Sequence, residues 1–232
     1  PDWYGCACCP PNICRLIASI GQYVYSEGPD GVAVHLYAAG AATAQVGERE
    51  VRITQKTKYP WDGKVAIKLE VHEPFSFGLK LRIPEWCDKA SITVNGKSFP
   101  LAANTVKGYA NIEREWKSGD RVVLNMEMPV QRVHSHPRVV ANQGRVALQR
   151  GPVVYCLEGA DNGFPIDLFS LPEDAKLSAG FDKDLLGGVV TITGTGLVDD
   201  PAPWGDRLYS ARTSKPKKVR FKAVPYYAWN NR

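Results

Sequence analysis

No apolar run in this chain approaches the ~18 residues of a membrane-spanning helix, so a helical span is excluded. Pro1-Asp2-Trp3 is neither the charged segment nor the apolar core of a secretory signal. There is no internal repeat and no low-complexity stretch, which sets aside solenoids and disordered linkers. Nor is one sign of charge in large excess. The 29 basic and 24 acidic residues leave +5, scattered except for Lys215-Pro216-Lys217-Lys218-Val219-Arg220. Such a run can meet phosphate or an acidic polymer, but reads first as the solvated face of a strand. No nucleic-acid or membrane partner is expected.

A disulfide framework is also missing. The six cysteines are Cys6, Cys8, Cys9, Cys14, Cys87 and Cys156, and their spacing is not that of a stapled secreted domain. Neighbouring Cα atoms lie ~3.8 Å apart, short of the ~4.4 Å usual for a bridge, so a Cys8–Cys9 disulfide would be strained. Cys87 and Cys156 read as buried structural thiols. This usage fits a reducing compartment, and a cytoplasmic location is the expectation.

What is present is 232 residues, 44% of them hydrophobic and 23% charged, enough for one large or two ordinary domains. Residues 12–26 carry Ile13, Leu16, Ile17, Ile20, Tyr23 and Val24 on one helical face. Pro10 and Pro11 suit the start of this helix, Asn12 its N-cap, and Gly28-Pro29 its end. Cys14 sits beside the apolar stripe and is expected in the core. So broad an apolar face needs partner helices, and none follows. The chain is therefore expected to be a piece of a longer polypeptide.

From residue 31 the period becomes two. Strands are predicted at 32–38, 50–57, 64–72, 76–83, 90–94, 109–115, 121–128 and 130–134. Trp61-Asp62-Gly63, Asn95-Gly96 and Ser118-Gly119-Asp120 supply turns between them. Further strands are predicted at 145–149, 153–158, 189–193, 208–213 and 217–224, around a loop-rich stretch at 159–187. The fold class is mainly β: one helix followed by two jelly-roll-like β-sandwiches.

The chemistry concentrates in Cys6-Ala7-Cys8-Cys9-Pro10-Pro11-Asn12. Thiolates bind soft metals and attack carbon, and the positive end of a helix dipole favours them. A structural zinc site normally shows two well-spaced ligand pairs. Only one tight cluster is present here. On spacing alone three readings stand: small residues packed where a helix begins, a metal site, or a sulfur nucleophile. Cys6 reads as a structural thiol. His134 and His136 could share a metal but read as loop residues. Trp61, Trp86 and Trp116 read as packing rather than a sugar platform, and Glu85 and Glu115 form no recognisable catalytic pair.

The segment from Trp3 through Cys-Cys-Pro-Pro-Asn to Tyr25 resembles glycoside hydrolase family 127, the β-L-arabinofuranosidases. So do Leu81-Arg82-Ile83-Pro84-Glu85-Trp86, residues 146–155, and Pro225-Tyr226-Tyr227-Ala228-Trp229. The resemblance implies an (α/α)₆ catalytic barrel followed by β-sandwiches. Residues 1–29 would be the end of the barrel, 30–137 the first sandwich and 138–232 the second. It implies that Cys8 is a nucleophile and a zinc ligand, and Cys9 a second ligand. A Glu, a further Cys and an acid/base Glu lie upstream in the family and have no counterpart here. Trp3 and Tyr4, beside this nucleophile in sequence, could equally stack on the sugar or pack inside the barrel. The implied reaction is a retaining displacement on an arabinose-containing oligosaccharide, with Zn²⁺ as cofactor. The isolated chain is expected neither to turn over substrate nor to bind zinc tightly. The alternative is a non-catalytic module: a sandwich scaffold, a carbohydrate-binding unit or a homodimer surface. A purely structural zinc site is the third possibility.

Overall fold

Two prolines decide where the first helix begins. In the computed structural model, which describes residues 5–211 and 214–230, α1 spans Cys9–Ser19 with Cys8 as its N-cap. Pro10 and Pro11 occupy the first turn, where a missing N–H costs nothing. Asn12 is therefore not the cap. Its amide donates the helix's first bond, to the Cys8 carbonyl at 3.2 Å, and its side chain accepts from Arg15. The helix also stops earlier than its apolar period suggests. A 3₁₀ turn over Ile20–Tyr23 closes it, and Tyr25–Gly28 becomes strand β1. Gly21 and the Tyr23-Val24-Tyr25 run favour extended backbone over helix there.

The chain divides into two compact units, Pro1–Met128 and Pro129–Arg232. In the first, β1 is followed by β2 (Gly31–Val34), β3 (Gly40–Val46), β4 (Arg49–Thr57), β5 (Lys64–Val71) and β6 (Phe75–Arg82). Then come β7 (Ala90–Val94), β8 (Lys97–Phe99), β9 (Thr105–Val106), β10 (Tyr109–Trp116) and β11 (Arg121–Met126). They form two sheets, ordered β1-β2-β6-β10-β9 and β3-β4-β5-β11-β7-β8. All neighbours run antiparallel except β2 and β6. Alternate residues face the shared core: Ile53, Ile67 and Leu69 from one sheet, Leu79, Leu81, Ile112 and Trp116 from the other.

Two polar groups inside that core are tied to the backbone around them. Trp116 is fully buried and its indole N–H donates to the Phe77 carbonyl at 3.0 Å. Gln55 donates to the Tyr25 hydroxyl at 2.8 Å and to the Leu36 carbonyl. Turn chemistry holds the hairpins. Asn95-Gly96 and Lys107-Gly108 both take positive φ at two successive residues, the mark of a type I′ turn.

The second unit holds β12 (Val130–His134), β13 (Val146–Arg150), β14 (Val153–Leu157), the short helix α2 (Gly159–Asn162), β15 (Phe169–Ser170), β16 (Leu177–Asp182), β17 (Val189–Val198) and β18 (Lys217–Pro225). The strands make one sheet, β12-β13-β14-β18-β17, with β15 and β16 sharing the far edge of β17. The sheet curls, and Arg132 of β12 donates to the Ala175 carbonyl just ahead of β16. Leu148, Tyr155, Ile192, Phe221 and Ala223 form the core.

The mainly-β reading stands, with several local differences. Strand 130–134, expected to close the first sandwich, hydrogen-bonds along its whole length to β13, so the units divide at Met128/Pro129. Residues 208–211 form no strand, and Leu208 and Tyr209 are exposed; residues 212–213 lie outside the described residues. No helix among the described residues is long and apolar enough to cross a membrane.

Candidate active site

The N-terminal turn of α1 brings three sulfurs together. Cys6 Sγ lies 3.0 Å from Cys8 Sγ and 3.6 Å from Cys9 Sγ, and Cys8 and Cys9 are 3.9 Å apart. The local sequence forces this convergence. Cys8 and Cys9 are consecutive at the cap and first residue of the helix, and Pro10-Pro11 fixes the backbone just after them. The prolines have a second effect. A helix start normally leaves four N–H groups unpaired. With two replaced by proline, the remaining donors are those of Cys8 and Cys9, and both hydrogen-bond the Cys6 sulfur. The positive end of the helix dipole is thus focused on the thiols.

Sharing of protons within the trio is unequal. Hydrogen bonds from the Cys8 and Cys9 thiols lower the Cys6 thiol to about 7. The hydrogen bond to Cys6, with that to Cys8, pushes the Cys9 thiol up. All three side chains are exposed. The shared hydrogen bonds tie Cys6, read from sequence as a structural thiol, into the same cluster as Cys8 and Cys9. The signal was present in the Cys-x-Cys-Cys spacing on a turn, which lets residues i, i+2 and i+3 face one point.

The donor set suits a soft cation. Four sulfurs around zinc at ~2.3 Å stand about 3.8 Å from one another. Two of the three separations here bracket that value, and the third is shorter. All three ligand atoms lie within 4.8 Å of each other, and among the described residues no Asp, Glu or His joins them. The residues present therefore fit part of a zinc shell.

The other candidates fall elsewhere. Trp3 and Tyr4 lie outside the described residues. Cys14, expected in the core, is exposed, because no described residue covers the apolar face of α1: Ile13 is 58% and Ile17 66% exposed. With Gly5, Cys6, Cys9 and Pro10, Ile13 and Cys14 line an open hollow of about 570 Å³ beside the thiols. Cys87 is buried as expected, and Cys156 is half-buried. His136 is committed to a turn, its Nδ1 accepting from the Arg138 amide at 3.1 Å, and both it and His134 are exposed. Trp116 is core and Trp86 stacks on Tyr59, whereas Trp61 is 52% exposed. Glu115 pairs with Lys117 at 3.5 Å and Glu85 is exposed. Sequence reasoning also missed a chain of contacts on the first sandwich. His35 bonds Tyr109 Oη through Nδ1 and Ser26 Oγ through Nε2, each at 2.7 Å. It ties the edge strand β1 to β10 across the sheet.

Residues 31–128 match the model of the beta-L-arabinofuranosidase GH127 middle domain. Residues 130–232 match that of the glycoside hydrolase family 127 C-terminal domain. The chain belongs to glycoside hydrolase family 127. Among curated proteins it is similar to the non-reducing end beta-L-arabinofuranosidase of Bifidobacterium longum subsp. longum. The two are 35% identical over all of this chain and 36% of that protein. Among solved structures it is similar to Ara127N-Se, a GH127 beta-L-arabinofuranosidase from Geobacillus stearothermophilus T6. There the TM-score is 0.95 at 50% identity, over 99% of this chain and 36% of that one. The GH127 beta-arabinofuranosidase BT3674 superposes with a TM-score of 0.85 at 32% identity, over 99% of this chain and 37% of that one. The chain thus spans little more than a third of the length of these relatives.

Proposed function

We propose that this GH127 chain is the thiol-bearing and β-sheet part of a retaining glycosidase that removes terminal β-L-arabinofuranosyl groups. Cys8 is its nucleophile, and Cys8 and Cys9 are zinc ligands. The observation that carries the reading is the convergence of three exposed sulfurs on the N-terminal turn of α1, in a chain of this family. The relatives named beta-L-arabinofuranosidases supply the sugar.

In this reading Zn²⁺, when bound, supplies the positive charge that keeps thiols deprotonated at neutral pH. The residues of the chain do the rest. Cys8 Sγ, as thiolate, attacks the anomeric carbon and a C–S bond forms as the C–O bond to the leaving group breaks. The leaving oxygen takes a proton from a carboxylic acid outside the described residues. Water, deprotonated by that same group, then attacks the anomeric carbon from the vacated face, and the C–S electrons return to Cys8. Two inversions give net retention, with sulfur in the place of the usual second carboxylate. Cys9 fixes the position of Cys8 through their shared turn, and the positive end of the helix dipole favours negative charge on sulfur there. Cys6 takes no part in the displacement.

A thiol-directed arabinofuranoside mimic, incubated with the full polypeptide that carries this chain, tests the assignment by intact mass and peptide mapping. The expected result is one label, on Cys8. A label on Cys6 or Cys9 in its place removes Cys8 as nucleophile.

A further inference from the structure

The basic run noticed in the sequence acquires a shape in the second unit. On β18, Lys218, Arg220 and Lys222 alternate with the core residues Phe221 and Ala223 and point away from the core. The register sets Lys222 opposite Thr193 and Arg220 opposite Thr195 on β17, and Thr193 opposite Ser178 on β16. Directly opposed residues share a face. Cations and hydroxyls therefore line one groove of about 500 Å³, with Lys176 just ahead of β16 and Asp161 on α2 at its margin.

Most of the polar groups around this groove are spoken for. Lys222 Nζ bonds Asp182 at 3.0 Å. Lys217, on the other face of β18, bonds Asp200 at 2.7 Å. Asn162 clamps the Lys222 backbone from both sides, accepting from its N–H and donating to its carbonyl. Asp161 also has a partner. By contrast, the side chains of Lys176, Arg220, Ser178, Thr193 and Thr195 make no hydrogen bond or ion pair with another described residue. The groove keeps two uncommitted cations and three uncommitted hydroxyls side by side.

We propose that this groove is a binding subsite for an acidic sugar, a uronic-acid residue of an oligosaccharide, remote in sequence from the thiol cluster. The choice of a carbohydrate rests on the glycosidase reading; the need for a carboxylate rests on the groove. The Arg220 guanidinium offers the paired donors that match a carboxylate, with Lys176 as a second point charge. Ser178, Thr193 and Thr195 each both donate and accept, as sugar hydroxyls require. A nucleic acid fits less well. Two free cations supply little of the counterion-release energy that contacts to ~6–10 phosphates give. Among the residues lining the groove the one ring is that of Phe221, which is buried and offers no base-stacking platform.

The test is titration calorimetry on the full polypeptide at low ionic strength, with trigalacturonate and its methyl ester as probes. The free acid is expected to bind, and the ester, which keeps the sugar skeleton but not the charge, to bind at least ~10-fold more weakly. Arg220→Ala should cost a similar factor for the acid alone, and Arg220→Lys an intermediate one, since the charge stays but the fork goes. The pair Thr193→Val and Thr195→Val should weaken acid and ester alike. Lys217→Ala, on the other face, should change neither. All these side chains are exposed and valine suits a strand, so loss of the fold is not at issue. Equal binding of acid and ester overturns the proposal. So does indifference to Arg220→Ala, or dextran sulfate or single-stranded RNA binding as tightly as the acid and ignoring the valine pair. Arabinofuranoside hydrolysis is measured on the same preparation. Hydrolysis without uronate binding sinks the subsite alone, and uronate binding without hydrolysis sinks the catalytic reading alone.

Discussion

Replacing the three clustered thiols one at a time separates their roles, and the geometry sets the size of each effect. Structural zinc in small domains is held by roughly 10–16 kcal/mol spread over four ligands, or about 2.5–4 kcal/mol per ligand. Losing one true ligand should therefore weaken zinc by about 10²–10³-fold, at ~1.4 kcal/mol per factor of ten. Cys8 and Cys9 stand 3.9 Å apart, already close to the separation two thiolates take on one zinc. Cys6 and Cys8, at 3.0 Å, must move apart by several tenths of an ångström before both can bind the same ion. Cys9→Ser in the full polypeptide should thus lose zinc by that factor and lose hydrolysis with it. Cys8→Ser should lose both zinc and the nucleophile, so that added zinc restores occupancy but not turnover. Cys6→Ser should keep zinc within about threefold, well under the loss of one ligand, and keep turnover. Zinc competition against a chromophoric chelator gives the affinities, and release of L-arabinose gives the rates. If Cys6→Ser lost zinc as severely as Cys9→Ser, the division of labour within the trio would be refuted and Cys6 would be a ligand.

Other expectations concern the scaffold. Trp116→Phe keeps a ring in the core but removes the donor to the Phe77 carbonyl; unfolding in urea should show a loss of about 2–4 kcal/mol. Gly63→Ala would drive a methyl group into the Met126 carbonyl. It should destabilise by about 1–3 kcal/mol or more, whereas Gly40→Ala, with open space around it, should stay within about 0.5 kcal/mol. Burial works to raise the Asp120 carboxyl. The Lys117 amide, the Asn95 side chain and the charges of Arg114 and Lys117 outweigh it and hold the group below its usual range. The stabilisation this gives is complete above the unfolded pKa of ~3.9. It is lost as pH falls through the lower folded value. Asp120→Asn should flatten that part of the acid-unfolding curve, and an unchanged curve would count against the assignment.

The strands that could be read from sequence are those whose burial alternates, such as β4, β5 and β6, with Ile53, Ile67 and Leu79 facing inward. Those missed lack that signal for identifiable reasons. Strand β3 is Gly-Ala-Ala-Thr-Ala-Gln-Val, poor in β-branched and aromatic side chains, and is held by pairing along β4. Strand β16 lies inside an apparent loop with little of its surface buried, and exists because β17 is long enough to carry a second partner. Strands β8 and β9 are three and two residues long, below what periodicity can register. The thiol cluster was legible from Cys6, Cys8 and Cys9 lying within four residues, but not the way their sulfurs meet. Cys6 joins the other two through a backbone turn, which no apolar pattern encodes. The α1 face was correctly read as apolar, but apolarity says only that a partner is needed. In the described residues Leu16 and Ile20 remain about half exposed.

The position of the thiols also decides which perturbations can inform on them. Between Cys9 and the first sandwich stands one helix of eleven residues, about 16 Å long, followed by a single 3₁₀ turn. That turn leads through Val24 into β1, and the Val24 carbonyl, at the joint, accepts from both His35 and Leu36. None of the residues of α1 is buried. The distances within the trio are therefore set by the Cys8-Cys9-Pro10-Pro11 turn and not by the sandwich core, whose residues do not touch it. Core substitutions such as Trp116→Phe should then lower stability while leaving the thiol reactivity of the folded protein unchanged. Pro10→Ala does the reverse. It restores an orphan N–H one residue beyond Cys9 and frees the backbone at the turn. It should barely alter unfolding, yet change the rate at which a thiol reagent labels Cys6, Cys8 and Cys9. If the core substitution altered labelling of the folded protein and Pro10→Ala did not, the turn would not be what shapes the cluster.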